Sequence, residues 1–255
     1  MSGQWQEVSI GGHPADVFEP AVRNPQGFVV LYLHGVHLNR LVDKRAFIEQ
    51  FEKHGLTVVA PFTKRSWWTD IVCHEFDRTI TAQQHLLQNV VPWMEERFGT
   101  AVGQLSPPRP TKVGLLGTSM GGQGALRLSY KFPNLFPVVA AISPAIDYYL
   151  RYNEGDETIP QMYSDPEAAR QDTALLHIHP LNWPRHQFFC CDQEDFRWWN
   201  SADRLRMKLY SLGVPHECDL KTSGGGHGFE YYGRMAPRAI EFLVNRLQAE
   251  QRRLM

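Results

Sequence analysis

Cysteine is scarce in this chain of 255 residues. Its four copies, Cys73, Cys190, Cys191 and Cys218, form no Cys-x-x-Cys pair, and two of them are adjacent. That spacing argues against a disulfide framework and against a structural zinc site. An excess of either charge is lacking as well: 26 basic residues face 27 acidic ones, for a formal charge of −1. Without a net basic field, neither nucleic acid nor an anionic membrane surface is an expected partner. No apolar run approaches the roughly 18 residues that a membrane-crossing helix needs. The opening Met-Ser-Gly-Gln-Trp-Gln-Glu has neither the basic start nor the apolar run of a secretory leader, so a cytoplasmic location is expected. Internal repeats and low-complexity tracts are missing too.

What is present is a globular composition, 43% hydrophobic and 21% charged, which sets aside disordered, collagenous and coiled-coil classes. The length suffices for one large core, and the chain reads as a single domain over 1–255. Phe28 to Leu33 is a continuous, β-branched-rich run, the pattern of a strand buried on both faces. Leu56 to Ala60, Val113 to Leu116, Val138 to Ile142 and Gln187 to Cys191 read the same way. Between such runs lie helical patterns. Leu87, Val90, Val91, Met94 and Phe98 share one face, with Pro92 a candidate kink. Ile240, Leu243, Val244 and Leu247 mark a last helix, with Pro237 suited to its first turn. The alternation predicts an α/β fold, a mostly parallel, doubly wound sheet. Glu7 to Ile10 and Asp16 to Glu19, flanking Gly11 and Gly12, predict an antiparallel hairpin before it.

One interval breaks the alternation. From Ser143 to Arg185 no buried strand is evident, while prolines, acidic residues and Tyr148, Tyr149, Tyr152 and Tyr163 accumulate. A stretch this long is expected to carry small helices or function, and it reads as a cap-like insertion (143–185) above the sheet.

The sharpest chemical signal is Gly117-Thr118-Ser119-Met120-Gly121, between the strand Val113 to Leu116 and a helix from Gln123 to Tyr130. This is the setting of a nucleophile elbow, whose glycines make room for a strained turn that lifts the serine hydroxyl clear of the sheet. The plain alternative is a tight strand–helix turn with Ser119 as a cap. A serine hydroxyl is a weak nucleophile and needs a base that is itself held by an acid. Among the histidines after Ser119, His227 lies in Gly224-Gly225-Gly226-His227-Gly228, after a last strand around Glu217 to Leu220. A glycine loop there can return an imidazole to the elbow, so His227 is the expected base. His216 fits a surface turn better. His177 and His179 could share one face of an extended segment, but no third ligand stands at metal spacing, and no metal is expected. The acid should follow the strand Gln187 to Cys191. Asp195 is favoured because it stands far enough beyond the strand end to reach over the sheet, with Asp192 the main rival and Glu194 third.

An acyl-transfer site also needs donors for the developing oxyanion. The N–H of Met120 is one, and the N–H of Val36 in His34-Gly35-Val36-His37 is the expected second. His34 and His37 read as loop-shaping residues. The pairs Trp67-Trp68 and Trp198-Trp199 follow strand ends, and Trp67, Trp68 and Trp198 are candidates to wall a substrate pocket.

The segment Gly117-Thr118-Ser119-Met120-Gly121-Gly122-Gln123-Gly124-Ala125-Leu126 resembles the Gly-His-Ser-Met-Gly-Gly-His-Gly-Ala-Leu of the esterase family that includes esterase D and S-formylglutathione hydrolase. Asp192-Gln193-Glu194-Asp195 is similar to its Asp-Gln-Gly-x-x-Asp segment, in a shorter form, and Gly226-His227-Gly228-Phe229 to its terminal histidine segment. The resemblance implies an α/β-hydrolase fold and a serine carboxylesterase acting on a small ester or thioester through an acyl-enzyme. It implies Asp195 as the acid, the counterpart of the family's second Asp, and no cofactor. Transfer of the acyl group to another acceptor, peptide cleavage, or a non-catalytic ligand-binding relative are the alternatives.

Overall fold

The computed structural model describes residues 2–100, 102–105 and 108–253. Strands β1 (Gln4–Ile10) and β2 (His13–Glu19) form the expected antiparallel hairpin, longer than predicted, with Gln4 opposite Glu19. Gly11 and Gly12 turn it at φ 56° and 85°, values that a two-residue hairpin turn requires of both positions. Strand β3 (Val29–Leu33), helix α1 (Arg45–His54) and strand β4 (Thr57–Pro61) follow.

The predicted helix around Leu87 to Phe98 is built in three pieces: α2 (Ala82–His85), a π-helical turn over Leu86–Val90, and α3 (Val91–Phe98). Pro92 has helical residues on both sides, and the wider π turn directly before it accommodates the missing N–H. After a small hairpin of β5 (Gln104–Leu105) and β6 (Pro108–Arg109), strand β7 (Val113–Thr118) leads into α4 (Met120–Lys131) and β8 (Val138–Ile142). The 143–185 segment contains α5 (Tyr148–Asn153), α6 (Ile159–Met162) and α7 (Pro166–Gln171), then a 3₁₀ turn at Ala174–Leu176. Strand β9 (His186–Cys190), helix α8 (Trp199–Ser211), strand β10 (Glu217–Asp219) and helix α9 (Phe229–Arg253) complete the chain.

The main sheet runs β1-β2-β4-β3-β7-β8-β9-β10. From β4 to β10 every neighbouring pair is parallel, and β2 joins β4 antiparallel. Every residue of β3, β4, β7 and β8 is buried, which explains their unbroken apolar runs. Strand alternation divides these residues between two cores. Val29, Leu31 and Leu33 face the layer containing α4 and α8, while Val30 and Tyr32 face α1 and α9. Helices therefore cover both faces.

One expectation needs correction. The last helix begins at Phe229, eight residues before Pro237, which lies inside it. A proline there removes the hydrogen bond to the carbonyl of Gly233, but the helix is held by burial of Tyr231, Tyr232, Met235, Ala236 and Ala239 on its inner face. The 143–185 segment buries Tyr148, Ile159, Met162 and Tyr163 in the same core as the sheet. Arg127 of α4, itself buried, ties it down through Asp172 at 2.6 Å.

Candidate active site

Ser119 stands between β7 and α4 at φ 54° and ψ −120°, a conformation that costs a non-glycine residue roughly 1–3 kcal/mol. The surrounding backbone enforces it. Its N–H donates to Ile142 at 3.0 Å, and its carbonyl accepts from Gln123 and Ala145, both at 3.0 Å. The flanking glycines are needed for close approach: a Cβ on Gly117 would overlap the carbonyl of Gly121, and one on Gly121 the carbonyl of Leu33. Ser119 is thus an elbow residue rather than a side-chain cap, and its hydroxyl makes no cap hydrogen bond.

His227 comes back over the elbow on the loop between β10 and α9. Its Nδ1 lies 2.6 Å from Asp195 Oδ2, and its Nε2 lies 2.8 Å from Ser119 Oγ. A carboxylate only accepts, so Nδ1 carries the proton and Nε2 is the acceptor for the serine hydroxyl. Asp195 is buried, and its carboxylate also accepts the N–H of Trp198 at 3.2 Å and the thiol of Cys191 at 3.6 Å.

Asp192 faces another way. It is fully buried, and it accepts from the N–H groups of Glu194, Gly224 and Gly226 at 2.9, 2.6 and 2.9 Å. Burial pushes its carboxyl up, but these donors outweigh that and hold it below the usual carboxylate range. Glu194 is brought to neither His227 nor Ser119 by any of these bonds. His216 is also remote in contact: its Nδ1 bonds the Val214 carbonyl at 2.9 Å and its ring stacks on Phe189. His177 binds Asp172 at 2.9 Å, and His179 accepts the N–H of Leu181 at 3.1 Å. Among the described residues no group of three or more His, Cys, Asp or Glu is arranged to hold a metal ion.

The loop after β3 passes against the elbow; a Cβ on Gly35 would lie 3.3 Å from that of Ser119. The Gly35 carbonyl accepts from Leu38 N–H and from His34 Nδ1, both at 3.0 Å. In a trans peptide the N–H points opposite to the carbonyl, so the N–H of Val36 is turned away from those two partners. His34 Nε2 accepts the N–H of Thr63 at 3.2 Å, which leaves the ring proton on Nδ1. Burial holds this imidazole down at about 4, so it stays neutral and shapes the loop. Met120 opens α4, where an N–H has no acceptor within the helix.

A cavity of about 240 Å³ opens beside Ser119 and His227 and is lined by Val36, His37, Trp67, Arg151, Arg197 and Trp198. Trp67 and Trp198 are thus among its lining residues. Trp68 is not: it is fully buried under the loop after β3, with its indole N–H on the His34 carbonyl at 3.1 Å and its side chain against Gly124. Trp67 and Trp68 both adopt positive φ, 53° and 57°, so two adjacent indoles point to different places. Arg151 and Arg197 were not singled out from sequence. The only sequence signal for Arg151 is its place among the tyrosines of the 143–185 segment.

A strained serine elbow on a mostly parallel sheet, with a histidine returning after the last strand, defines an α/β-hydrolase. The model of the family described as putative esterase matches residues 23–208, and the chain belongs to that family. It is a carboxylic ester hydrolase. Solved structures of the same fold include fluorophosphonate-binding serine hydrolase F of Staphylococcus aureus, at 17% identity, TM-score 0.70, covering 96% of this chain and 100% of that one. A ferulic acid esterase aligns at 15% identity and TM-score 0.72, over 97% of this chain and 100% of that one. An S-formylglutathione hydrolase from Agrobacterium tumefaciens aligns at 16% identity and TM-score 0.69, over 96% and 94%. A search of curated proteins finds no match to this sequence. No helix of the described residues is long and apolar enough to cross a membrane.

Proposed function

We propose that this enzyme hydrolyses a small carboxylic ester or thioester through an acyl-enzyme on Ser119, with His227 as general base and Asp195 as the acid that orients it. The observation that carries this reading is the unbroken relay from Asp195 through His227 to Ser119, at 2.6 and 2.8 Å. Ser119 Oγ attacks the substrate carbonyl carbon as its proton passes to His227 Nε2. The Asp195 carboxylate stabilises the imidazolium that forms. The N–H groups of Met120 and Val36 receive the oxyanion. Nε2 then gives its proton to the departing alcohol or thiol, leaving the acyl group on Ser119. Water repeats the sequence on the other side, losing its proton to Nε2, and releases the acid with Ser119 restored.

The cavity of about 240 Å³ favours a short acyl or alcohol portion, with Trp67 and Trp198 as its apolar walls. Segment 143–185 works as a cap-like part of a single hydrolase domain, a reading supported by the presence of Ala145 and Arg151 in the cavity wall. The test is hydrolysis of short-chain chromogenic esters and thioesters, with and without prior fluorophosphonate. Turnover abolished by one equivalent of the reagent is expected; absence of turnover across an acyl-length panel overturns the reading.

A further inference from the structure

The cavity beside Ser119 is lined by two guanidinium side chains, those of Arg151 and Arg197. Arg151 and Trp67 both line it, with the guanidinium over the indole at 5.7 Å from the ring centroid. One terminal nitrogen of Arg151 donates to Asp156 at 2.8 Å, but its Nε is buried without a hydrogen-bond partner. The indole nitrogen of Trp67 is buried and unpartnered in the same way. The other oxygen of Asp156 already accepts the N–H groups of Thr158 and Ile159 and the Thr158 hydroxyl, at 2.8 to 2.9 Å.

Arg197 adds a second guanidinium to the lining, 52% exposed and paired only loosely with Glu154 at 3.6 Å. The one carboxylate among the lining residues, Asp195, is engaged by His227. A guanidinium beside a small cavity favours an anion over a neutral group of the same shape. Each arginine is paired with one carboxylate, Asp156 or Glu154, so the lining would hold an anion through guanidinium N–H donors rather than through a surplus of positive charge. A planar, two-oxygen group also matches the directed N–H donors of a guanidinium.

We infer that the ester this cavity takes carries a carboxylate within a few bonds of the scissile carbonyl, accepted by the guanidinium groups of Arg151 and Arg197. The inference rests on the proposed esterase reading of the same cavity. It makes Arg151 a specificity-determining residue, with Arg197 supplying the second guanidinium.

Matched pairs of stable esters test it. Monoethyl glutarate and its primary-amide isostere place the charge on the acyl side; 3-acetoxybenzoate and 3-acetoxybenzamide place it on the alcohol side. In at least one pair kcat/KM should favour the carboxylate by about tenfold or more, the scale of a charge-assisted hydrogen bond. Within that pair the ratio should fall toward unity in Arg151→Met and be reduced in Arg197→Met, whatever the absolute rates do. Thermal unfolding checks that Arg151→Met is folded, and if it is not, the exposed Arg197→Met carries the test. Ratios at or below one in both pairs, with 4-nitrophenyl acetate still hydrolysed, overturn this inference alone. If no ester is hydrolysed, the esterase reading fails, and calorimetry of glutarate with Ser119→Ala still reads the anion site. Binding there that is weakened by adding Arg151→Met supports the site; no binding overturns it.

Discussion

Asp192 and Asp195 share one turn, the N–H of Asp195 donating to the Asp192 carbonyl at 3.1 Å, yet their carboxylates serve different ends of the same loop. Asp195 holds the imidazole of His227, whereas Asp192 holds the backbone of Gly224 and Gly226 that carries it. One orients the ring and the other anchors the chain beneath it.

These roles separate on substitution. Asp195→Asn should lower kcat/KM by roughly three to four orders of magnitude with little change in unfolding, because the imidazole loses its acceptor and tautomer. Asp192→Asn should destabilise the protein by about 1–3 kcal/mol, since an amide oxygen replaces a charge that accepts three N–H groups. Its effect on turnover should be the smaller of the two. Steady-state kinetics and urea unfolding on both variants check this, and a tenfold larger kinetic defect at Asp192 would reverse the assignment.

Ser119→Ala should reduce kcat/KM by several orders of magnitude, on the order of 10³-fold or more, while the fold persists. Mass analysis of the wild type after fluorophosphonate should place a single adduct on the peptide containing Ser119. The strain at φ 54° gives a second readout. Ser119→Gly should be more stable than Ser119→Ala by about 1 kcal/mol, because glycine relieves a conformation that alanine must retain. Equal stabilities would mean that the turn stores no strain.

Activity should fall on the acid side, because a protonated His227 cannot accept the Ser119 proton. His227→Ala should lose both the rate and the limb. His216→Ala should keep them, since that ring bonds the Val214 carbonyl and stacks on Phe189 instead. The pH dependence of kcat/KM for the two variants is the measurement; a limb that survives in His227→Ala sinks the assignment.

Stability should also decline in acid, for a different reason. Burial lowers His34 to about 4 from an ordinary value of 6.5. Between those two values the unfolded chain binds the proton and the folded one does not, so stability drops as pH falls through that window and levels off below it. The full loss from this group is on the order of 3 kcal/mol. Urea unfolding at pH 7 and pH 4.5 should show a smaller decline in His34→Asn than in the wild type. Parallel declines would mean that His34 titrates normally.

Much of the architecture was legible because its signals are local. Central strands buried on both faces read as apolar runs, and the strand Val138 to Ile142 was read with its observed limits. The α1 and α8 helices carried no comparable signal: α1 buries only Phe47 and Phe51 of its ten residues, too few to mark a face. The start of α9 was obscured by Pro237, whose local preference is overridden by packing of the preceding turns onto the sheet.

Ser119 and His227 were legible for a related reason. An elbow is encoded within a few consecutive residues, because its glycines and its strand–helix flanks must all be adjacent in the chain. By itself the sequence determined the parallel sheet, the elbow, and a glycine loop able to return a histidine to it. The tertiary structure decided which aspartate meets that histidine, since Asp192 and Asp195 differ only in what a loop some 32 residues away presents to each of them. It also decided that Trp67 faces the cavity while Trp68 lies beneath it, and that Arg151, from a segment without a strand of its own, stands beside Ser119. Contacts of that range depend on how separate elements pack, and no local pattern of residues records them.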